Sequence, residues 1–386
     1  MIWLIPAGYL LALLLIVRFY WLRTPDLQDY QPNSDGPAVT VIIPARNEAR
    51  NIEACVTSIL ATGYRRLEVI VVDDQSTDDT AARVSRLIAL PGNGDRLRLV
   101  SGATKPEGWF GKQWALVQGF RAVKPGKGDL LIFADADTRH GTELIPRAVA
   151  VLAKEKVDLV TVLPRQAMES FWERVIQPHV FFALGLGVGD FRRVNRTRKY
   201  WKGIANGQFI LTPRKTYEAV GTHEAVKGTV ADDLALAQAY IKSDRDIFLV
   251  HAFPYMTTRM YTNLREIFEG WSKNLASGAP QMMPPIKLVR AAFPWVMWVP
   301  SLVWLVPPVI LAITGALPWL IVILLSLAIW GFISANEKVP VWYALLYPLG
   351  AGVMIAIMLR SAVRGRHIEW KGRVYGMRSA ERGVRK

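Results

Sequence analysis

The chain has 386 residues, of which 51% are hydrophobic and 20% charged, and its formal net charge is +15. A lone cysteine, Cys55, rules out an internal disulfide and a thiolate metal cage; it falls in the helix-like stretch 51–60 and reads as a core packing residue. The positive charge would suit nucleic acid, but no basic run interleaves with aromatics in an RNA-binding pattern, so nucleic acid is set aside and an anionic lipid surface or anionic small substrate accounts for the charge.

Residues 1–17 carry no charge and are followed by Arg18 and Arg23. They lack the basic start and small-residue cleavage site of a signal peptide, so residues 1–22 are predicted to be an uncleaved N-terminal transmembrane anchor. From residue 38 short β-branched runs alternate with longer helical stretches: Val39 to Ile43, then 47–60; Glu68 to Val72, then 78–88; Leu97 to Val100, Leu130 to Ala134 and Leu159 to Leu163. That alternation predicts an α/β domain built on a parallel sheet with helices on both faces, and its nearly all-apolar strands suit burial on both sides.

Further on, Leu264, Ile267, Phe268, Trp271 and Leu275 form the stripe of an amphipathic helix, which suits either a membrane interface or a protein core. Residues 291–335 and 341–359 are again uncharged, enough for two or three transmembrane helices. Trp295, Trp298, Trp319, Trp330, Trp342 and Tyr343 are placed as headgroup-level rings would be, and residues 361–386 form a basic tail. Such an excess normally marks the cytoplasmic side, yet with a cytoplasmic catalytic domain three late spans would leave the tail outside. Two spans, or a re-entrant segment around Pro307 and Pro308, would bring it back.

Acidic residues gather at the predicted strand ends. Leu130 to Ala134 runs into Asp135-Ala-Asp137, whose hard oxygen atoms suit Mg2+ or Mn2+ and, through the metal, a pyrophosphate leaving group; alone, such a triplet is also common in surface turns. The second strand ends in Asp73-Asp74, a pair able to accept the imide or amino hydrogen of a nucleobase, while Ser76 and Asp78 read as caps of the next helix. The first strand closes in Pro44-Ala-Arg46-Asn-Glu48. Asn195-Arg-Thr197 has the form of a glycosylation sequon, and Gly185-Leu-Gly-Val-Gly189 lacks both the third glycine and the preceding strand of a dinucleotide fingerprint.

Together, Pro44-Ala-Arg-Asn-Glu48, Asp73-Asp74 and Asp135-Ala-Asp137 at this spacing resemble glycosyltransferase family 2 over roughly residues 38–275. The resemblance implies a nucleotide-diphosphosugar transferase fold, the GT-A Rossmann-like type, with Mg2+ or Mn2+ and a UDP- or GDP-sugar donor. It implies that Pro44, Arg46 and Glu48 border the nucleoside, that Asp74 with Asp73 reads the base, and that Asp137, with Asp135, holds metal and donor. In Val230-Ala-Asp232-Asp233-Leu-Ala-Leu236, Asp233 takes the place of the family's catalytic base beside Asp232, against the plainer reading of a helix-start cap. Gly111-Lys112-Gln-Trp-Ala115-Leu116 resembles a segment of lipid-directed members in which Lys112 would lie beside donor phosphate; a solvated helix-start lysine is the alternative.

Met256-Thr-Thr-Arg259-Met260 stands where processive members carry Gln-x-x-Arg-Trp, keeping Arg259 as a donor-side residue and losing the Gln and Trp, which points to a single transfer. A narrower similarity, through Gly108-Trp-Phe-Gly-Lys112 and Trp370-Lys-Gly-Arg-Val-Tyr375, is to hopanoid-associated and carotenoid glycosyltransferases, with ceramide glucosyltransferases as relatives. The implied organisation is an anchor at 1–22, a catalytic domain at 38–260, an amphipathic interfacial segment at 261–290, transmembrane helices at 291–360 and a tail at 361–386. The implied activity is inverting transfer of a sugar to a lipid acceptor, by a multi-pass protein of the cytoplasmic membrane whose catalytic domain faces the cytoplasm. The alternatives are a processive polysaccharide synthase and a non-catalytic nucleotide-sugar or lipid-binding membrane protein.

Overall fold

The structure is a computed structural model. It describes residues 25–364, together with Leu4, Ala7, Gly8, Tyr9, Leu11, Leu14, Leu15 and Arg18 of the first 24 residues and the backbone of His367–Trp370 and Arg373–Gly376. Most of the expected anchor and of the basic tail therefore lies outside the described residues. The chain divides into two compact units, one of residues 25–165, 191–259 and 366–386, the other of 1–24, 166–190 and 260–365.

The first unit is built on a seven-stranded sheet. Its strands in chain order are β1 (Val39–Ala45), β2 (Leu67–Asp73), β3 (Leu97–Ser101), β4 (Leu130–Ala134), β6 (Leu159–Leu163), β7 (Phe209–Pro213) and β8 (Ile247–His251), with the short β5 (Thr138–His140) and β9 (Met256–Thr258) paired antiparallel outside it. The spatial order is β3-β2-β1-β4-β7-β6-β8. β1, β2, β3 and β4 run parallel, as the alternating pattern predicts, but β7 is antiparallel to both β4 and β6, so the sheet is mixed rather than parallel. The reason is where the chain re-enters. Pairing of Thr161 with Ile210 puts Leu163 and Phe209 at the same edge, so a chain that leaves β6 there and returns there must run back down the sheet.

The alternation of side chains along each central strand feeds two cores. Val41, Ile43, Val69 and Val71 face α1 (Ile52–Leu60), α2 (Thr80–Ile88) and α4 (Leu144–Glu155), and all four are fully buried. Ile42, Ile70, Val72 and Phe133 point the other way, toward α3 (Gly111–Arg121) and α5 (Asp232–Lys242). Burying such a side chain on both faces of a strand contributes about 1.5–3 kcal/mol each, which is why these strands carry so few polar residues.

In the second unit, the helix Phe171–Val188 starts with a capping box, Ser170 Oγ accepting from Glu173 N and the Glu173 carboxylate from Ser170 N. The amphipathic stripe lies on the helix Leu264–Gly278, and its Ile267, Trp271 and Leu275 are buried with Val175, Ile176, Ile357 and Met358, so its central side chains are spent on protein contacts instead of an interface. Among the described residues three helical stretches, Lys287–Thr314, Leu317–Asn336 and Val341–Arg364, are long and apolar enough to cross a membrane. Pro307 and Pro308 sit within the first of them, in the helix Leu302–Thr314. Faces as apolar as Val309, Ile313, Leu320 and Leu324 are exposed well beyond what water tolerates as one patch.

One contact decides how α3, which carries Lys112, sits on the sheet. Gly119 lies against Ile42 and Val72, and a Cβ there would press on the Ile42 methyl and come within 3.0 Å of Val72 Cγ2. Gly119→Ala gains helix propensity of about 1 kcal/mol but overpacks this contact, at a cost of about 1–3 kcal/mol. The net outcome expected is a lowered melting temperature in detergent with reduced turnover; a variant at least as stable as the native chain would show that α3 has slack against the sheet.

Candidate active site

Sheet order reverses between β1 and β4, because the chain runs outward from β1 through β2 to β3 and then returns to β1's other side. In open α/β sheets such a switch leaves a crevice at the carboxyl ends of the strands, where ligands bind. Ala45, Asp73 and Ala134 end their strands at this edge.

The β1 and β2 ends are tied together backbone to backbone and through Arg46. Asp74 N donates to Ala45 O at 2.7 Å, and Arg46 Nη1 donates to the carbonyls of Asp74 and Gln75 at 2.6 and 3.0 Å. Asn47 and Gln75 both take left-handed backbone, with φ of 52° and 57°, an unusual conformation for non-glycine residues that sharpens both loops. Thr77 N donates to Asn47 Oδ1 at 2.8 Å and Glu48 N to Thr80 Oγ1 at 2.8 Å. The helix-cap reading of Ser76 is corrected here: its Oγ accepts from Asn47 N, while Asp78 accepts both from Thr80 N, at the start of α2, and from Ala49 N. These side chains lace the two loops together instead of serving one helix. Pro44 pairs with Val72 in the β1–β2 ladder, and Glu48 accepts from Asn51 Nδ2.

Asp73 and Asp74 are both at the crevice. Among the described residues Asp73 Oδ1 is buried with no hydrogen-bond partner, and Asp74 is 2% exposed. The end of β3 approaches closely behind them, which requires glycine: a Cβ on Gly102 would stand 2.7 Å from Asp73 O.

The Asp135-Ala-Asp137 turn hangs from its carbonyls. Thr138 Oγ1 donates to Asp135 O at 2.7 Å and Cys55 Sγ to the same oxygen at 3.5 Å, while Thr258 Oγ1 reaches Asp137 O at 3.4 Å. Cys55 thus packs in the core as expected and also touches the turn; burial pushes its thiol up to about 12, so it is inert. β9 brings Thr258 opposite Thr138, and Arg259 follows directly, one step farther along toward Asp137.

Lys112, in the first turn of α3, is the cation of the site. Its Nζ stands 2.7 Å from Asp135 Oδ1, with the two side chains 23% and 28% exposed, so the solvated-lysine alternative does not describe it. Enclosure works against its charge, but the carboxylates of Asp135, Asp232 and Asp233 outweigh that and hold the ammonium above its ordinary range. Asp232 and Asp233 open α5. Burial, opposed by Lys112 and reinforced by Asp233 and Asp135, pushes Asp232 up to about 6. Burial also raises Asp233, against Lys112 and two amides: Gly207 N donates to its Oδ2 at 3.0 Å and Leu234 N to its Oδ1 at 2.8 Å.

The structure thus brings Lys112, Asp135, Asp232 and Asp233 into one cluster and sets Asp73, Asp74, Arg46 and Glu48 along the neighbouring strand ends. Sequence reasoning missed Gly207, Gln113 and Thr258, whose spacing carries no signal because their partners are distant in the chain, and also Thr138, whose partner Asp135 O is only three residues away. No group of three or more His, Cys, Asp or Glu forms a ready metal cage among the described residues.

The fold and this site define a GT-A-like glycosyltransferase domain. Across 95% of the chain and 99% of the other, the structure matches a mannosyltransferase of Pyrobaculum calidifontis, solved in complex with GDP-Man and Mn2+, with a TM-score of 0.56 and 21% identity, a likeness of fold. Residues 40–221 match the model described as Glycosyl transferase family 2. The chain is similar to 4,4'-diaponeurosporenoate glycosyltransferase of Staphylococcus aureus strain N315, 29% identical over 290 residues covering 73% of this chain and 70% of the relative. The same protein of strain USA300 is 29% identical over 281 residues, 71% and 69% of the two chains.

Gly207 separates the cation from the carboxylate: a Cβ there would lie 3.0 Å from Lys112 Nζ and 3.3 Å from Asp233 Oδ2. Gly207→Ala should therefore reduce turnover by roughly tenfold or more, since displacing a reacting group even slightly costs that much, with little change in melting temperature. Native turnover in this variant would mean that the cluster does not take part in transfer.

Proposed function

We propose that the protein transfers a sugar from a UDP- or GDP-sugar to a hydroxyl or carboxyl oxygen of a lipid acceptor at the cytoplasmic face of the membrane, with inversion at the anomeric carbon. The observation that carries this reading is the cluster itself: the Asp233 carboxylate, poised above its usual range, stands across Gly207 from a lysine paired to the first Asp of the strand-end triplet. The similarity to a carotenoid glycosyltransferase supports the lipid acceptor, and the three apolar helices support a bilayer as the place where it is met.

The nucleoside would lie along the β1 and β2 ends. Asp73 Oδ1, a buried acceptor lacking a partner among the described residues, fits a donor hydrogen of a base, with Asp74 beside it and with Pro44, Arg46 and Glu48 bordering. A hard divalent ion fits two carboxylates that leave room for diphosphate oxygens: Mg2+ commonly binds through one or two carboxylates plus substrate phosphates, so Asp137 and Asp135 would hold Mg2+ or Mn2+ without a third protein ligand. Bound there, the ion would neutralise the leaving diphosphate. Lys112 adds an ammonium on the same side, and Arg259 stands near the turn as a further donor-side cation. Asp233 accepts the acceptor's proton as that oxygen attacks the anomeric carbon; the glycosidic bond to the diphosphate breaks and its electron pair leaves on the phosphate oxygen. Where the acceptor is already a carboxylate, no proton has to be removed before it attacks and the step does not need Asp233 as a base. Asp232, beside it, helps hold the Lys112 charge in place.

Two measurements test this. Asp233→Asn keeps the size of the side chain but cannot take a proton, so transfer to a hydroxyl acceptor from radiolabelled donor should fall by roughly 10²-fold or more while donor affinity is kept. A plain helix-start residue predicts undiminished turnover, because Asn serves a helix start about as well as Asp. Separately, calorimetry with a nucleoside diphosphate should show binding that needs Mg2+ or Mn2+ and is lost in Asp137→Ala; equal affinity in chelator would remove the metal from the reading.

A further inference from the structure

Next to Lys112 on α3 is Gln113, 1% exposed, whose side chain serves a different purpose. Its Nε2 donates to Val226 O at 3.1 Å and to Thr229 O, and its Oε1 accepts from Gly228 N at 3.2 Å. One amide thus satisfies three backbone groups of the segment 226–229. That segment leads directly into Asp232 and Asp233, and it turns at Gly228, whose φ of 76° is left-handed. Its own backbone bonds are long, Thr229 N closing onto Val226 O at 3.3 Å and Lys227 N onto Glu224 O at 3.3 Å, while the Val226 side chain is buried.

We propose that Gln113 is a positioning residue for the base: through the 226–229 loop it fixes where α5 begins, and so where the Asp233 carboxylate stands relative to Lys112. The inference rests on the reading of Asp233 given above. Its physical basis is rigidity. Lys112 and Gln113 are successive residues of one helical turn, Lys112 paired to Asp135 and Gln113 holding the approach to Asp233. The donor side and the acceptor side of the reaction are therefore set by the same turn of α3. A buried amide that makes all three bonds gives the loop one discrete arrangement, whereas an apolar side chain of equal size would leave two carbonyls and an N–H without these partners and let the loop drift.

The test is a double-mutant cycle on the full-length protein in detergent, using Gln113→Met, which keeps volume, and Asp233→Asn. Gln113→Met alone should lower kcat for a hydroxyl acceptor by roughly tenfold or more, the scale of a misplaced reacting group, with nucleoside diphosphate affinity kept. In the double variant it should cost little beyond Asp233→Asn alone, because there is no longer a base to place. Losses that multiply, or native kcat in Gln113→Met, would overturn the proposal. If Gln113→Met does not accumulate as folded protein, Gln113→Glu answers by a second route. It keeps the acceptor for Gly228 N and sets a carboxylate against two carbonyls, and it should show the same loss of kcat and the same lack of further loss with Asp233→Asn. Failure of the underlying reading is distinguishable, since it appears as native turnover in Asp233→Asn whatever Gln113 does.

Discussion

Carboxylates brought together away from water repel one another and lose hydration, a penalty on the order of several kcal/mol per ion, unless a cation is enclosed with them. At the carboxyl edge of β4 that cation is Lys112, 2.7 Å from Asp135 and within the field of Asp232 and Asp233. The geometry around it follows from this requirement. The helix α3 must sit close enough to the sheet to deliver the ammonium, which Gly119 permits, and the loop before β7 must pass between the ammonium and Asp233 without a side chain, which Gly207 permits. A charge cluster of this kind is a weak source of stability, since its hydration cost nearly cancels its attraction. Its presence at a sheet switch point is better explained by what it does to a polyanionic ligand.

The two sides of the crevice are held by different means. At the β1 and β2 ends, the two loops are laced by Arg46, Asn47, Ser76 and Asp78, mostly through hydrogen bonds to backbone. Such bonds tolerate no register shift, and the backbone of Asp73 and Asp74 is already committed to the neighbouring strands. At the β4 end the Asp135-Ala-Asp137 turn is held by its carbonyls, through Thr138, Cys55 and Thr258, and the Asp135 carboxylate pairs with Lys112.

What the sequence disclosed and what it hid differ by range. Strand ends such as Ala134-Asp135 and Asp73 are visible because burial on two faces imposes an apolar run that stops abruptly at the crevice, and the family resemblance supplies roles for the acidic residues. The antiparallel β7 is not visible, because Phe209–Pro213 has the same apolar composition as a parallel strand and only the return path of the chain sets its direction. Ser76 looks like a helix cap locally, and its true partner, Asn47 N, is 29 residues away. Gln113 and Thr258 are polar residues that composition would place at the surface; both are nearly fully buried because each satisfies backbone groups on a distant segment.

The charge balance also constrains the order of events on the proposed reading. Asp135 Oδ1 is engaged by Lys112, so a diphosphate competes with that carboxylate for the ammonium. Asp135 and Asp137 would hold a divalent ion that comes with the donor, and Lys112 would then be able to turn to phosphate, so that no carboxylate is left facing another without a cation. Donor and ion are then expected to bind as a unit, each poorly without the other. Asp233 stays out of this exchange, because its two oxygens are already held by the amides of Gly207 and Leu234. Burial raises the basicity of Asp233 against Lys112 and those two amides, and the amides at the same time fix the carboxylate in position, as a base that must meet an acceptor oxygen requires.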